Sequence, residues 1–292
     1  MYYIVYGILY AFSLLPMAVL YLFSDLAFFI LYHLSGYRKK VVMDNLERAF
    51  PEKSPEERKK IAKQFYHHFT DTFIESLKLI SAGKKFLDSH ATGDMELIND
   101  LAARGYNINL MAAHQFNWEY VNLYFSAYSP IPFVGIYMPL NNKIFDRIFL
   151  KMRGKFGSNL VSAQQFKHKR NEVFRERYML ALAADQNPGN PANSYWIKFM
   201  GHPAPFVMGP AKGAVLQKAA IVMTGMHRVS RGKYHFSVHL IMEDVTGHSP
   251  QELTVLYKNA LEKVINEDPS NYLWSHRRWK HAWKPEYGAV ME

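Results

Sequence analysis

The 292-residue chain contains no cysteine, which excludes disulfides, thiolate metal sites, iron–sulfur clusters and every cysteine-nucleophile mechanism. It has no Lys or Arg before Arg38, and its first 37 residues carry one formal side-chain charge, Asp25. A GxSxG elbow, a P-loop, a GxGxxG turn and an HExxH helix are all missing, so serine hydrolase, nucleotide-binding and zincin chemistry lack support. Nothing in the sequence asks for a metal or a cofactor. No internal repeat or low-complexity linker interrupts the chain, which is long enough to bury a sizeable core unaided.

What is present divides in two. Residues 38–292 hold all 35 Lys and Arg against 24 of the 25 Asp and Glu, a basic body of net +11 within a total of +10. Such a balance points to anionic partners. Ahead of the body, Tyr2 to Phe23 is uncharged over 22 residues, about 30 Å as a helix and close to the hydrocarbon thickness of a bilayer. Apolar character resumes from Leu26 to Leu34, which suits a retained anchor better than a cleaved signal peptide. Pro16 and Asp25 interrupt the run, so a bent or in-plane hairpin is as consistent as one straight span. The cluster Arg38, Lys39, Lys40 follows at once and, by the positive-inside rule, predicts a cytoplasmic body. The expected division is an N-terminal membrane anchor over 1–35 and a catalytic domain over 36–292.

In the body, Ser54-Pro55-Glu56-Glu57 forms a capping box with proline at the first helical position. Ile61, Phe65, Phe69, Phe73, Leu77 and Ile80 then recur on one face, predicting a helix over about 55–80. Beyond Gly83, short apolar runs (NINLMAA, IPFVGIY, NLVSA, YMLALAA, AAIVMTGM, YHFSVHLIM) read as strands, with helical patterns at 117–128, 141–156 and 208–218 between them. A turn at Arg231-Gly232 predicts an antiparallel hairpin over 229–243. The fold class is α/β, a mixed, mainly parallel sheet flanked by helices behind an N-terminal hydrophobic anchor helix.

Three histidines have an acid five residues on: His114/Glu119, His239/Asp244 and His281/Glu286. The bare spacing is close to chance, and context separates the three. Five residues span about 140° of helix, so the pair can meet only if the histidine ends one element and the acid lies in the first turn of the next. Only His114 has that setting, following the strand INLMAA and preceding a helix for which Asn117 is a good N-cap. The carboxyl end of a strand in an open α/β sheet is also where ligands bind. Glu119 would then fix the His114 tautomer while the other ring nitrogen removes a proton from a hydroxyl. If that hydroxyl attacks an activated acyl carbonyl directly, no protein nucleophile is needed.

The chain resembles the lipid A late (secondary) acyltransferase branch of the bacterial lysophospholipid acyltransferase-like superfamily. The matching segments run in order: the hydrophobic anchor, GYRKKVVMDNLERAFPEKSPEERKK (36–60), AAHQFNWE (112–119), RGKFG (153–157), AADQNPG (183–189), FMGHPAPFVMG (199–209) and YLWSHRRWK (272–280). The resemblance implies a glycerolipid acyltransferase-like fold on the cytoplasmic face of the bacterial inner membrane. Its activity would move a fatty acyl chain from acyl carrier protein, or CoA, onto a hydroxyl of a phosphorylated lipid A precursor. It makes His114 the base and Glu119 its partner, and offers Asn117, Arg153, Asp185, Gln186 and Arg228 as substrate-binding or oxyanion candidates. Gly201, Pro203 and Ala204 would shape a tight loop near the acyl channel. The Pro-Glu-Gly loop of the glycerol-phosphate branch is missing, which argues against a glycerophosphate acceptor.

The C-terminal stretch interleaves Trp274, Trp279 and Trp283 with Arg277, Arg278, Lys280 and Lys284. Such a composition can bind single-stranded nucleic acid or a membrane interface. With an anchor at the other end, the membrane is favoured over nucleic acid, and Arg38, Lys39, Lys40, Trp274, Arg277, Arg278 and Lys280 are the expected headgroup contacts. Two alternatives remain: an acyltransferase for another membrane acceptor, such as an aminolipid or lysophospholipid, and a non-catalytic membrane-tethered lipid-binding protein.

Overall fold

Pro16 has no N–H to donate and cannot continue a helix, so the N-terminal run breaks there. In the computed structural model, which describes residues 1–292 except for the side chain at position 167, two helices result. They are α1 (Tyr2–Ser13) and α2 (Met17–Phe28), the latter running on as a π-helix over Phe29–Leu34. The N-terminal apolar run is thus bent rather than one straight helix, and Met17–Leu34 is long and apolar enough to cross a membrane by length and composition. Helix α3 (Lys39–Ala49) leads to α4 (Pro55–Lys78), which opens on the expected capping box: the Ser54 hydroxyl accepts from Glu57 N–H at 3.2 Å and Glu57 accepts from Ser54 N–H at 2.7 Å. Phe65 and Phe69 face the core, but Phe73 is 50% exposed. A four-residue spacing overshoots one helical turn by about 40° each time, so the third aromatic rotates out of the stripe.

The chain then continues as α5 (Lys84–His90), β1 (Ala91–Gly93), α6 (Glu96–Ala103), β2 (Ile108–Ala112), α7 (Trp118–Tyr128), β3 (Phe133–Tyr137), α8 (Lys143–Arg153), β4 (Asn159–Ser162), α9 (Ala163–Val173) and β5 (Met179–Ala183). Two hairpins and two helices complete it: β6 (Ser194–Phe199) with β7 (His202–Val207), α10 (Gly209–Gln217), β8 (Ala220–Ser230) with β9 (Lys233–Met242), and α11 (Pro250–Glu267). Seven strands form one sheet in the order β1-β9-β8-β2-β5-β3-β4. Only the β8–β9 pairing is antiparallel, as the turn at Arg231-Gly232 requires, and every other pairing is parallel. The segment FMGHPAPFVMG, expected as a tight loop, is largely the second arm of the separate β6–β7 hairpin, whose turn uses positive φ at Met200 and Gly201.

The sheet is covered on both faces, and β2 divides the two cores. Ile108, Leu110 and Ala112 join one with α6 and α7, while Met111 and Ala113 join the other with α4 and α11. Each fully buried aliphatic contributes about 1.5–3 kcal/mol, which explains why β2 carries no side-chain charge and is buried at every position.

Candidate active site

Strands β2 and β5 are parallel neighbours with Ala112 opposite Ala183. Two residues beyond each end stand His114 and Asp185, so the register itself brings them together. His114 Nδ1 lies 2.7 Å from Asp185 Oδ1, and the His114 backbone N–H donates to Asp185 Oδ2 at 3.0 Å. Burial pushes the imidazole pKa down, but the Asp185 charge and hydrogen bond outweigh it and hold His114 above its ordinary value. Burial likewise opposes ionisation of Asp185, and the His114 charge with two hydrogen bonds holds that carboxyl below its usual range. Asp185 is 1% exposed and the His114 side chain 27%. Nδ1 is therefore occupied, and Nε2 is the ring nitrogen without a hydrogen-bond partner among the described residues, on a partly accessible side chain.

The loop carrying His114 is pinned from several sides. Its carbonyl accepts from Leu273 N–H, the Phe116 N–H donates to the Asn271 side chain at 3.1 Å, and Asn271 in turn donates to the Met226 carbonyl at 2.6 Å. The Tyr257 hydroxyl donates to the Ala112 carbonyl at 2.9 Å, and the Tyr272 hydroxyl faces Asp185. A narrow apolar cleft of about 10 Å³ lies under this point, lined by Met111, Ala184, Phe206 and Tyr257 among others. Ordered neighbours of this kind fix an imidazole's orientation before a substrate arrives.

Glu119 is not the partner of His114. It sits in the first turn of α7, 2% exposed, and faces α8: Arg153 Nε donates to its Oε2 at 2.8 Å, the second guanidinium nitrogen donates to Oε1, and Trp118 Nε1 donates to Oε1 at 3.1 Å. The helix starting at Trp118 turns the acid away from the strand end, and the bidentate arginine consumes both oxygens. Arg153 is accordingly neutralised by Glu119, with 21% of its side chain exposed. Asn117 is also reassigned. It is fully buried, caps α7 by accepting from Glu119 N–H at 3.1 Å, and donates to Glu75 at 3.1 Å, which leaves it no access to a ligand. Gln186 follows Asp185 half-buried. Arg228 belongs to a different cluster, bonded to Asp71 beside an open depression of about 370 Å³ that also holds Asp25, His67, His68 and Arg231. There, burial chiefly, aided by Arg228, pushes the His68 imidazole down to about 4.

The expected headgroup contacts divide. Arg38, Lys40, Arg277 and Lys280 are exposed, Arg38 also donating to the Ser275 carbonyl at 2.9 Å, and Lys39 lies 4.4 Å from the Tyr32 ring. Trp274 and Arg278 cannot touch a membrane. Trp274 is fully buried, donating to the Pro269 carbonyl at 2.6 Å, because the segment 271–275 threads into the core against Phe50 and Tyr272. Arg278 is 1% exposed, 4.4 Å from the Phe206 ring and 3.2 Å from the Asn187 side-chain oxygen. It therefore ties the tail to the turn that follows Asp185. The sequence did hold a signal for the true pair: the chain leaves β2 as Ala-Ala-His-Gln (112–115) and β5 as Ala-Ala-Asp-Gln (183–186), frames that differ only at His114 and Asp185.

The lipid A biosynthesis lauroyltransferase of Escherichia coli (strain K12) is 25% identical over 247 residues, covering 83% of this chain and 79% of that protein. Residues 1–281 match the family described as bacterial lipid A biosynthesis acyltransferase. The chain therefore belongs to the bacterial lipid A biosynthesis acyltransferase family, and the enzyme is an acyltransferase.

Proposed function

We propose that the enzyme transfers a fatty acyl group from an acyl carrier protein thioester to a hydroxyl of a phosphorylated lipid A precursor, with His114 as general base. The observation that carries this reading is the free Nε2 of a histidine whose Nδ1 is held by a buried aspartate. Nε2 takes the proton of the acceptor hydroxyl as its oxygen attacks the thioester carbonyl. The tetrahedral intermediate then collapses, the C–S bond breaks, and the imidazolium returns the proton to the leaving sulfur. Asp185 stabilises that imidazolium and fixes the tautomer, the part an orienting acid plays beside a catalytic histidine. Glu119 acts at one remove, by fixing Arg153; the Arg153 guanidinium is the candidate for stabilising charge on the thioester oxygen, and Gln186 for contacting the acceptor.

The reaction takes place at the cytoplasmic face of the inner membrane, with 1–35 as anchor and 36–292 as catalytic domain. The apolar helix Met17–Leu34 and the exposed basic residues after it support that location. Acyl carrier proteins are acidic, so a body of net +11 favours one as donor, and association should slow as salt rises. The test is mass spectrometry of product from purified enzyme, acyl carrier thioester and a lipid A precursor. One added acyl chain per acceptor is expected with wild type and none with His114→Ala. Transfer only to a lysophospholipid or aminolipid would replace the acceptor, and full activity of His114→Ala would remove the assigned base.

A further inference from the structure

Helix α2 is tied to α4 along its whole length. In the turn that leads into it, Lys78 Nζ donates to the Ser13 and Leu15 carbonyls, both at 3.0 Å. One turn into α2, the Tyr21 hydroxyl donates to Glu75 at 2.9 Å, then the Ser24 hydroxyl to Asp71 at 2.6 Å. Asp25 pairs with Arg231 at 2.6 Å, and the Phe28 ring stacks on His67 with centroids 3.5 Å apart. Helix α1 lies against α8 in the same lengthwise manner: the Arg147 guanidinium is 4.0 Å from the Tyr2 ring and the Lys151 ammonium 4.1 Å from the Tyr6 ring. At 12 residues α1 is about 18 Å long, well short of a bilayer core of about 30 Å.

The outer faces of both helices are apolar and exposed. Ile4, Ile8, Leu14, Leu22, Leu26 and Phe29 are each at least half exposed. If α2 crossed a bilayer it would carry its flank with it: α4 presents Lys63 and Gln64 to solvent next to His67, and the depression beside α2 holds Asp25, Asp71, Arg228 and Arg231. Charged side chains are strongly disfavoured at the bilayer centre. Laid flat, the same surface puts its apolar stripe among acyl chains and its cations, Arg38 and Lys40 included, at the level of phosphates.

We infer that α1 and α2 lie in the plane of one leaflet of an anionic phospholipid bilayer, with both ends of the segment on the same side as the catalytic body. The membrane carries this inference only as far as the reading above holds, but the topology is separate from it. A chain without cysteine allows a direct test. One cysteine is added in a short Gly-Ser extension before Met1, and in a second protein Glu52→Cys, in the body, carries it. Cells expressing either full-length protein are converted to sealed spheroplasts or to inverted inner-membrane vesicles and treated with a membrane-impermeant maleimide. Both cysteines should label to the same extent in inverted vesicles and neither in spheroplasts. Labelling of the N-terminal cysteine in spheroplasts would overturn the in-plane topology while leaving membrane attachment intact. Recovery of the protein in the soluble fraction would overturn both. Flotation with vesicles of phosphatidylglycerol and phosphatidylethanolamine gives the second arm: Leu22→Glu with Leu26→Glu should cut the bound fraction at least tenfold. Unchanged binding, equal binding to pure phosphatidylcholine, or a wild-type dimer that these substitutions dissociate without vesicles would each overturn the assignment of this face to anionic lipid.

Discussion

Two acid–base pairs stand at the ends of one six-residue segment, His114 to Glu119, and they are built differently. At His114, a single aspartate oxygen occupies one ring nitrogen and leaves the other free on a side chain 27% exposed. At Glu119, an arginine and an indole occupy both carboxylate oxygens, and 3% of the side chain is exposed. Proton transfer needs a basic atom whose lone pair is not already engaged, so only the first pair can supply a base; the second locks α7 to α8 and holds the Arg153 guanidinium in place. What distinguishes them is the origin of the partner. Asp185 comes from the adjacent parallel strand, where the register is fixed, and Arg153 from the end of a crossing helix.

This contrast can be broken by substitution, beginning with the largest effect. His114→Ala should lower the rate by about 10²–10⁴-fold, the usual worth of a general base, with an unchanged circular dichroism spectrum. Activity within twofold of wild type would erase the difference between the pairs. Glu119→Ala should act on stability instead: stranding Arg153 costs about 3–5 kcal/mol in a buried pair, read as a lower denaturant midpoint. Adding Arg153→Met should recover much of it, and failure to recover would mean that Glu119 does more than neutralise an arginine. Asn117→Ala removes the cap shared by the loop and takes a donor from buried Glu75, for about 1–2 kcal/mol. Ser54→Ala, in the cap that opens α4, should cost about 1 kcal/mol and leave kcat/KM unchanged, providing the baseline for a purely structural loss.

Much of this architecture was legible in the sequence. The short apolar runs gave β2, β3, β4, β5, β8 and β9; in β2 and the first seven residues of β8 the run is continuous because a strand buried on both faces needs no alternation. Ser54 and Glu57 marked the start of α4, and His114 stood out by ending a strand. The partner of His114 was not legible from spacing, since 71 residues separate it from Asp185 and only the pairing of β2 with β5 closes that distance. The tail was misread for a related reason: Trp274 and Arg278 have the composition of a membrane rim, but the same residues, threaded past Asn271 into the core, are nearly inaccessible. Strand β7 was hidden by Pro203 and Pro205, which lower strand propensity and are tolerated because β7 has one partner, β6. Phe73 left its stripe through the 40° drift of four-residue spacing.

The pH dependence of kcat/KM, compared between wild type and Asp185→Asn, shows whether Asp185 sets the basicity of His114. The Asp185 charge raises the folded pKa of His114 above its ordinary 6.5, so the neutral base is lost as pH falls through a value above 6.5. In Asp185→Asn that support is gone and burial alone acts, which lowers the pKa. Wild type should show an acid limb above pH 6.5 that moves below it in Asp185→Asn, together with a fall in the plateau rate. An acid limb that stays in place when Asp185 is neutralised, but shifts in Glu119→Gln, would contradict it.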